Sequence, residues 1–367
     1  MLRPVKTTAQ TRTAFMKAIA LIFLFIFVTK DPVFAQAVKP VYKNLVMEGG
    51  GMRGIAYGGA LNELQKQGIL PQIERVGGTS AGAIQAMLLA VGYTPDEITR
   101  ITYETNLKAF ADGKFIFFGG FTRIAKQFGR YRGEKFSKWL GKLIAQKTGN
   151  ADITFSQLHA LAGKNHFRDL YVTGTNLSKQ QAEVLSYETY PEMKVRDAVR
   201  ISMSIPLYFR AVAIDSVGKT LSLKQNPKAA NIMVDGGIVA NFPIQIFDFE
   251  RYLNAQKSPK SGKPVFNPET IGLRLDRTEQ IAYDQQLNGL APFPIHNFND
   301  YMAAFYNIVI ENLNRNTLKP EDWPRTVSIN TLQFQPEMKL KKLSAEQKEQ
   351  LLQSGRQAVQ DFLARKP

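Results

Sequence analysis

The 367-residue chain has no cysteine and only three histidines, His159, His166 and His296. The first absence removes disulfides, thiol nucleophiles and cysteine–zinc centres from consideration. The second leaves little material for a histidine base or a histidine-rich metal site. Acidic residues are also scarce, with 31 Asp and Glu against 47 Lys and Arg and a net charge of +16. Such a balance suits an anionic membrane surface, nucleic acid or simply a basic soluble surface. No nucleic-acid motif accompanies it, so that partner is not expected.

The amino-terminal apolar run is short as well. Ala18 to Val28 is an unbroken stretch of eleven residues, against about 20 needed to span a bilayer. Arg3, Lys6, Arg12 and Lys17 precede it, and small residues follow at Ala35 and Ala37. Together these features predict a secretory signal peptide over residues 1–37, with an uncleaved anchor as the rival reading. Export to the periplasm or beyond follows from that reading. Removing residues 1–37, with five Lys/Arg and one Asp, leaves +12 on residues 38–367. Those residues are long enough for one large α/β domain, and no linker divides them.

From residue 42 short apolar runs alternate with helical periodicity, which predicts α/β units on a mainly parallel sheet flanked by helices. N-L-V-M reads as a strand that breaks into glycines, and Ile55 to Gly68 as a helix. R-V-G is a second strand, followed after G-T-S-A-G by a helix with almost no polar face. Thr94, Pro95, Asp96 and Glu97 form a helix start. Residues 168–177 and 231–235 read as strands, 195–209 as a helix ended by Pro206, and 271–275 as a late strand. Helices are expected over 294–313 and 344–363, and a surface loop over 256–263. Between Phe110 and Arg132 seven aromatic residues interleave with five cations. This is either core packing under a loop or a lid and interfacial patch.

Chemistry concentrates at three places. Gly78-Thr79-Ser80-Ala81-Gly82 is a G-x-S-x-G lying between a strand and a helix. A serine there is held on a tight turn with its hydroxyl presented, and the helix dipole favours developing negative charge. The plain structural alternative is a tight turn with a buried serine. A serine nucleophile needs a base, and none of the three histidines has a fitting context. Asp235 is the stronger choice, since it ends a strand and is followed by Gly236 and Gly237. Partial burial would raise its pKa enough for proton abstraction, although Asp-Gly-Gly is also an ordinary turn signal. The third place is the loop Gly49-Gly50-Gly51-Met52-Arg53-Gly54, whose bare N–H groups suit an oxyanion. Arg53 could steady that loop or face an anionic substrate. The same residues spell G-x-G-x-x-G, and Glu74 lies twenty residues past Gly54, so a nucleotide-binding protein is a rival reading. A non-catalytic, membrane-associated scaffold is another.

The three elements in this order resemble the patatin-like phospholipases, as G-G-G-M-R-G (49–54), G-T-S-A-G (78–82) and D-G-G (235–237). I-S-M-S-I-P-L-Y-F (201–209) and V-D-G-G-I-V-A-N-F-P-I (234–244), through Asn241 and Pro243, fit as well. The similarity runs from about residue 42 to 245 and is weak in the C-terminal, largely helical part, 246–367. It implies a three-layer α/β sandwich and a lipid acyl hydrolase acting on phospholipid or another acyl-ester lipid. It also implies Ser80 as nucleophile, Asp235 as base, Gly50 and Gly51 as the foremost oxyanion donors, and no metal or cofactor. Glu48 stands where many members have aspartate, which is expected to matter little.

Overall fold

The structure is a computed structural model and describes residues 41–112, 128–222, 230–253, 262–286, 289–315, 317–332 and 343–365. Its strands are β1 (Asn44–Met47), β2 (Arg75–Gly78), β3 (Gly129–Tyr131), β4 (Asp169–Asn176), β5 (Gln181–Leu185), β6 (Leu207–Phe209), β7 (Val212–Ile214), β8 (Thr220–Leu221), β9 (Asn231–Asp235), β10 (Thr270–Asp276) and β11 (Thr326–Asn330). The helices are α1 (Ala56–Lys66), α2 (Ala81–Ala90), α3 (Pro95–Glu104), α4 (Glu134–Thr148), α5 (Phe155–His159), α6 (Val195–Ser202), α7 (Gly237–Ala240), α8 (Glu250–Leu253), α9 (Thr278–Gln285), α10 (Phe298–Arg315) and α11 (Ala345–Ala364).

Nine strands make one sheet in the order β11-β10-β1-β2-β4-β9-β7-β8, with β5 also paired to β4. The five from β11 to β4 run parallel, while β5, β7, β8 and β9 pair antiparallel. The parallel strands are buried on both faces, and period-2 alternation sorts their side chains into two cores. Leu45, Met47, Val76, Leu170 and Val172 enter the larger core with α1, α2, α6 and α11. Val46 and Tyr171 point the other way, onto Phe247 and Tyr252. The result is the expected three-layer α/β architecture.

Two sequence expectations need correction. The helix beginning at Val195 stops at Ser202 rather than running to Pro206. Proline disfavours helical backbone in the residue before it, and the chain beyond turns into β6, which pairs with β3. The C-terminal part, read as largely helical, also holds an unexpected strand, since β11 joins the expected β10 beside β1. Helix α11 then packs on α1 at closest approach. A Cβ on Gly355 would lie 2.0 Å from the Ala56 carbonyl oxygen, and one on Gly59 1.8 Å from that of Leu352. So the part with the weakest family pattern is built into the same core.

The helix start at Thr94 carries a full capping box with Glu97. The helix expected from residue 294 begins at Phe298, where the Asn297 side chain accepts from the Asp300 N–H at 3.1 Å. Of the aromatic–basic stretch, residues 113–127 lie outside the described residues, as do 256–261 of the expected surface loop. Phe110 is buried against Phe136 and Trp139, with ring centroids 5.2 and 5.1 Å away. It is therefore core.

Candidate active site

Strand register brings the serine and the aspartate to the same level. Gly78 pairs with Val172 across the parallel β2–β4 ladder, so Ser80 follows two residues on, level with Gly174. Strand β4 outruns β2, and on that extension Gly174 pairs with Asp235 of β9. Because β9 is antiparallel, its carboxyl end would ordinarily lie at the other edge of the sheet. Pairing only with the extension keeps Asp235 at the carboxyl edge of the parallel strands. The glycine loop arrives there from β1, next to β10. Here the connections leaving β1 and β10 diverge, the switch point at which open α/β sheets form crevices.

Ser80 has φ 51° and ψ −118°, a strained backbone for a side-chain-bearing residue. The surroundings hold it there. A Cβ on Gly82 would lie 2.2 Å from the Met47 carbonyl oxygen, and one on Gly78 2.6 Å from Gly82 itself. The Ser80 N–H donates to Ser202 Oγ at 2.8 Å. Its hydroxyl donates to Met203 Sδ at 3.4 Å. Thr79 donates to the Ala240 carbonyl at 2.7 Å and also bonds Thr173. All ten residues of α2 behind this turn are buried, so the turn rests on a rigid base.

Asp235 is 2% exposed. Burial pushes its carboxyl up to about 7, while the Gly237 N–H and the Ser80 hydroxyl beside it pull the other way. Oδ1 accepts from the Gly237 N–H at 2.7 Å, which is an Asx turn. Turn former and neighbour of Ser80 are thus one and the same residue. The backbone N–H of Asp235 donates to the Ser204 carbonyl at 3.0 Å, tying it to the segment that carries Ser202 and Met203.

The glycine loop is braced from three sides. Gly49 donates its N–H to the Asn241 carbonyl at 3.0 Å, so that donor is already used. The N–H groups of Gly50 and Gly51 make no hydrogen bond among the described residues. Gly51 has φ +54°, which favours glycine. Arg53 is buried and donates to the Gly50 and Leu275 carbonyls at 3.3 and 3.1 Å. Its guanidinium therefore straps the loop to β10. Met52 and Gly54 complete the wall.

Sequence reasoning missed what supports this arrangement. Asn241 donates from Nδ2 to Glu48 Oε1 and the Gly49 carbonyl, each at 3.2 Å, and its N–H reaches Asn314 Oδ1 on α10. Glu48 is fully buried and accepts from the Leu275 N–H at 2.7 Å. Arg274 stands 3.8 Å from Glu48 and about 3 Å from Asp276, Asp284 and Glu311, at 3.1, 3.1 and 3.2 Å. Desolvation pushes Glu48 up to about 8 against the pull of Arg274. So Glu48 joins the glycine loop to a buried ion cluster. No local pattern marks partners such as Asn241 and Leu275, which lie 193 and 227 residues from Glu48.

The histidines stay apart. His159 bonds Asp169 at 2.7 Å and stacks on Tyr187. His166 is exposed in its turn, and His296 is exposed at the rim of the cavity. Glu74 sits before β2, at the opposite edge of the sheet from the loop, paired with Lys43 and Arg75 at 3.8 and 3.4 Å. The glycine loop enters a 3₁₀ turn over Gly51–Ile55. The acid that a dinucleotide loop requires is therefore on the wrong side.

Ser80, Asp235 and the glycine loop open on a cavity of about 1590 Å³, whose wall includes Phe110, Phe136, Trp139 and Phe209. Among the described residues no group of three or more His, Asp or Glu could hold a metal ion.

A three-layer α/β protein with a strained serine at a strand–helix elbow is the class that fold and site define. Within it, the chain belongs to the patatin-like phospholipase family, whose model matches residues 45–248, more than half of the chain. Curated proteins are similar as well. An uncharacterized protein of Acanthamoeba polyphaga mimivirus is 32% identical over 207 residues, 56% of this chain and 61% of its own length. The probable lipid hydrolase 463L of Invertebrate iridescent virus 6 is 31% identical over 231 residues, 62% of this chain and 70% of the relative. VipD from Legionella pneumophila shares the fold with TM-score 0.58 at 17% identity, over 89% of this chain and 67% of that one. The chain thus spans about three-fifths of the mimivirus relative.

Proposed function

We propose that the protein is a lipid acyl hydrolase that cleaves carboxylic esters of phospholipids or related glycerolipids. One observation carries this reading: Ser80 sits strained at its elbow beside an aspartate whose carboxyl is raised to about 7. A base with that pKa is well matched to neutral pH. In the reaction Asp235 takes the hydroxyl proton as Ser80 Oγ attacks the ester carbonyl. The oxyanion is held by the free N–H groups of Gly50 and Gly51. Its collapse forms the acyl-serine, and Asp235 returns the proton to the departing alcohol. Asp235 then activates a water that frees the fatty acid and restores Ser80. Membership of the patatin-like phospholipase family and the relative named as a probable lipid hydrolase both support the substrate class.

Contact with a lipid surface belongs to the same proposal. Phe298, Tyr301, Phe305 and Ile308 are exposed on one face of α10, while Ile310 and Glu311 of that helix line the cavity. The basic charge would add attraction to anionic headgroups. No described helix is long and apolar enough to cross a membrane. We propose further that residues 1–37 direct export and are then removed; amino-terminal sequencing of the exported protein that found residue 1 intact would overturn this.

The decisive experiment pairs two measurements on purified protein. Phospholipid should release fatty acid, and a fluorophosphonate ester probe should label the protein at Ser80. Ser80→Ala should lose both. Fatty-acid release by Ser80→Ala at the native rate would sink the mechanism.

A further inference from the structure

Helix α2 starts directly after Ser80, and Ala81, Ile84 and Gln85 share the face that lines the cavity, as their i, i+3, i+4 spacing requires. Gln85 is the exception on this helix, since its other nine residues are alanine, glycine, isoleucine, leucine or methionine. It is 2% exposed, its side chain makes no hydrogen bond among the described residues, and its buried Oε1 has no partner. A buried amide left unpaired is unfavourable, whereas leucine or methionine of similar volume would pack there without that cost. The nearby threonines offer no compensation. Thr102 and Thr105 donate their hydroxyls back into their own helical turn, to Ile98 and Ile101 at 2.5 and 2.6 Å. The aromatic residues of the wall, Phe110, Phe136 and Trp139, pack on one another. Gln85 is therefore an unpartnered amide in the cavity wall, one turn of helix beyond the serine. Departures from otherwise consistent packing are most expected where a ligand supplies the missing partner.

We propose that the Gln85 amide binds a hydroxyl carried by the lipid substrate within the part that enters this cavity. The amide carries an acceptor and two donors, so a hydroxyl brought against it meets a partner of either kind once the side chain turns to it. Two lipid classes carry such a group: acyl chains hydroxylated along their length, and monoacyl glycerolipids with a free glycerol hydroxyl. A site built to hydrogen-bond a hydroxyl penalises an analogue that lacks it, because the protein's polar group is then left unpaired. The inference rests on the acyl-hydrolase reading above and assigns a preference within it.

The test compares kcat/KM for two matched substrate pairs, with native protein and with Gln85→Leu. One pair is a hydroxyacyl and a plain acyl ester of the same alcohol. The other is a monoacyl and a diacyl glycerophospholipid. The native protein should favour the hydroxyl-bearing member of one pair, and Gln85→Leu should lower that ratio about tenfold, the worth of one neutral hydrogen bond. Loss confined to the first pair identifies the chain hydroxyl, and loss confined to the second the glycerol hydroxyl. Thermal melting should find Gln85→Leu at least as stable as the native protein, and Gln85→Met is the second variant if leucine packs poorly. Unchanged ratios in both variants, with plain esters still cleaved, overturn the assignment to Gln85 alone. A native protein that cleaves no ester and takes no fluorophosphonate label overturns the hydrolase reading, and this preference with it.

Discussion

Asp235 carries a cost that the proposed role as base would explain. The folded protein keeps the carboxyl protonated up to about pH 7, against an ordinary value of 3.8. Folding therefore takes up a proton between those two values, and stability falls as pH rises through that window. The sign gives a linked pair of expectations. Asp235→Asn keeps an acceptor for the Gly237 N–H but has no charge to desolvate. Its melting temperature should equal or exceed the native one above pH 7, with the gap closing below pH 4. It should also be inactive, because an amide cannot take the serine proton. In the native protein the acid limb of kcat/KM should have its midpoint near 7. A midpoint near 4 would mean that a different group, or an unburied Asp235, sets the rate. At the same scale Asn241 binds the glycine loop through both backbone and side chain. Asn241→Ala would leave the buried Glu48 short of a donor, which costs about 1–3 kcal/mol. It should lower kcat more than it raises KM, measured on a soluble ester.

Among the elements, the clearest test concerns α11 and its glycine contact with α1. Gly355→Val places a branched side chain where a Cβ would already be 2.0 Å from a carbonyl oxygen. Overpacking of this kind costs ~1–3 kcal/mol, so a lower melting temperature is expected, read by calorimetry. Much at this scale was open to reading from sequence. Short apolar runs located β1, β2, β4, β9 and β10, and the capping chemistry of Thr94 located α3. Strands β5, β7, β8 and β11 went unread, because two to five residues with mixed burial give no periodicity. Motif spacing pointed to Ser80 and Asp235 and to the glycine loop. It could not reveal that Ser202, Met203, Asn241, Asn314 and Arg274 meet around them, since only the folded register brings such distant segments together. Nor could it say that Glu48 is buried, because a lone acid after a strand looks the same whether it faces solvent or an ion cluster.

For the whole molecule, the proposed function raises the question of how a buried serine would meet a lipid held in a membrane. The cavity holding Ser80 shares α10 with the exposed row Phe298, Tyr301, Phe305 and Ile308, so one helix has an inner face on the site and an outer face with no partner among the described residues. Exposed aromatics and aliphatics at i, i+3, i+7 and i+10 suit the boundary between headgroups and acyl chains. The net charge of +12 on residues 38–367 would draw such a face toward anionic lipid over roughly one Debye length, about 8–10 Å at ordinary salt. These two contributions separate experimentally. Replacing Phe298 and Phe305 with serine should cut hydrolysis of phospholipid vesicles severalfold, yet leave a soluble short-chain ester unaffected, because neither side chain touches Ser80 or Asp235. Raising salt from about 0.1 to 1 M shortens the screening length to about 3 Å, so it should slow the native protein on anionic vesicles and not on neutral ones. If the double variant and the native protein act equally on vesicles, α10 does not face the lipid. If salt acts equally on both vesicle types, the basic charge serves something other than lipid attraction.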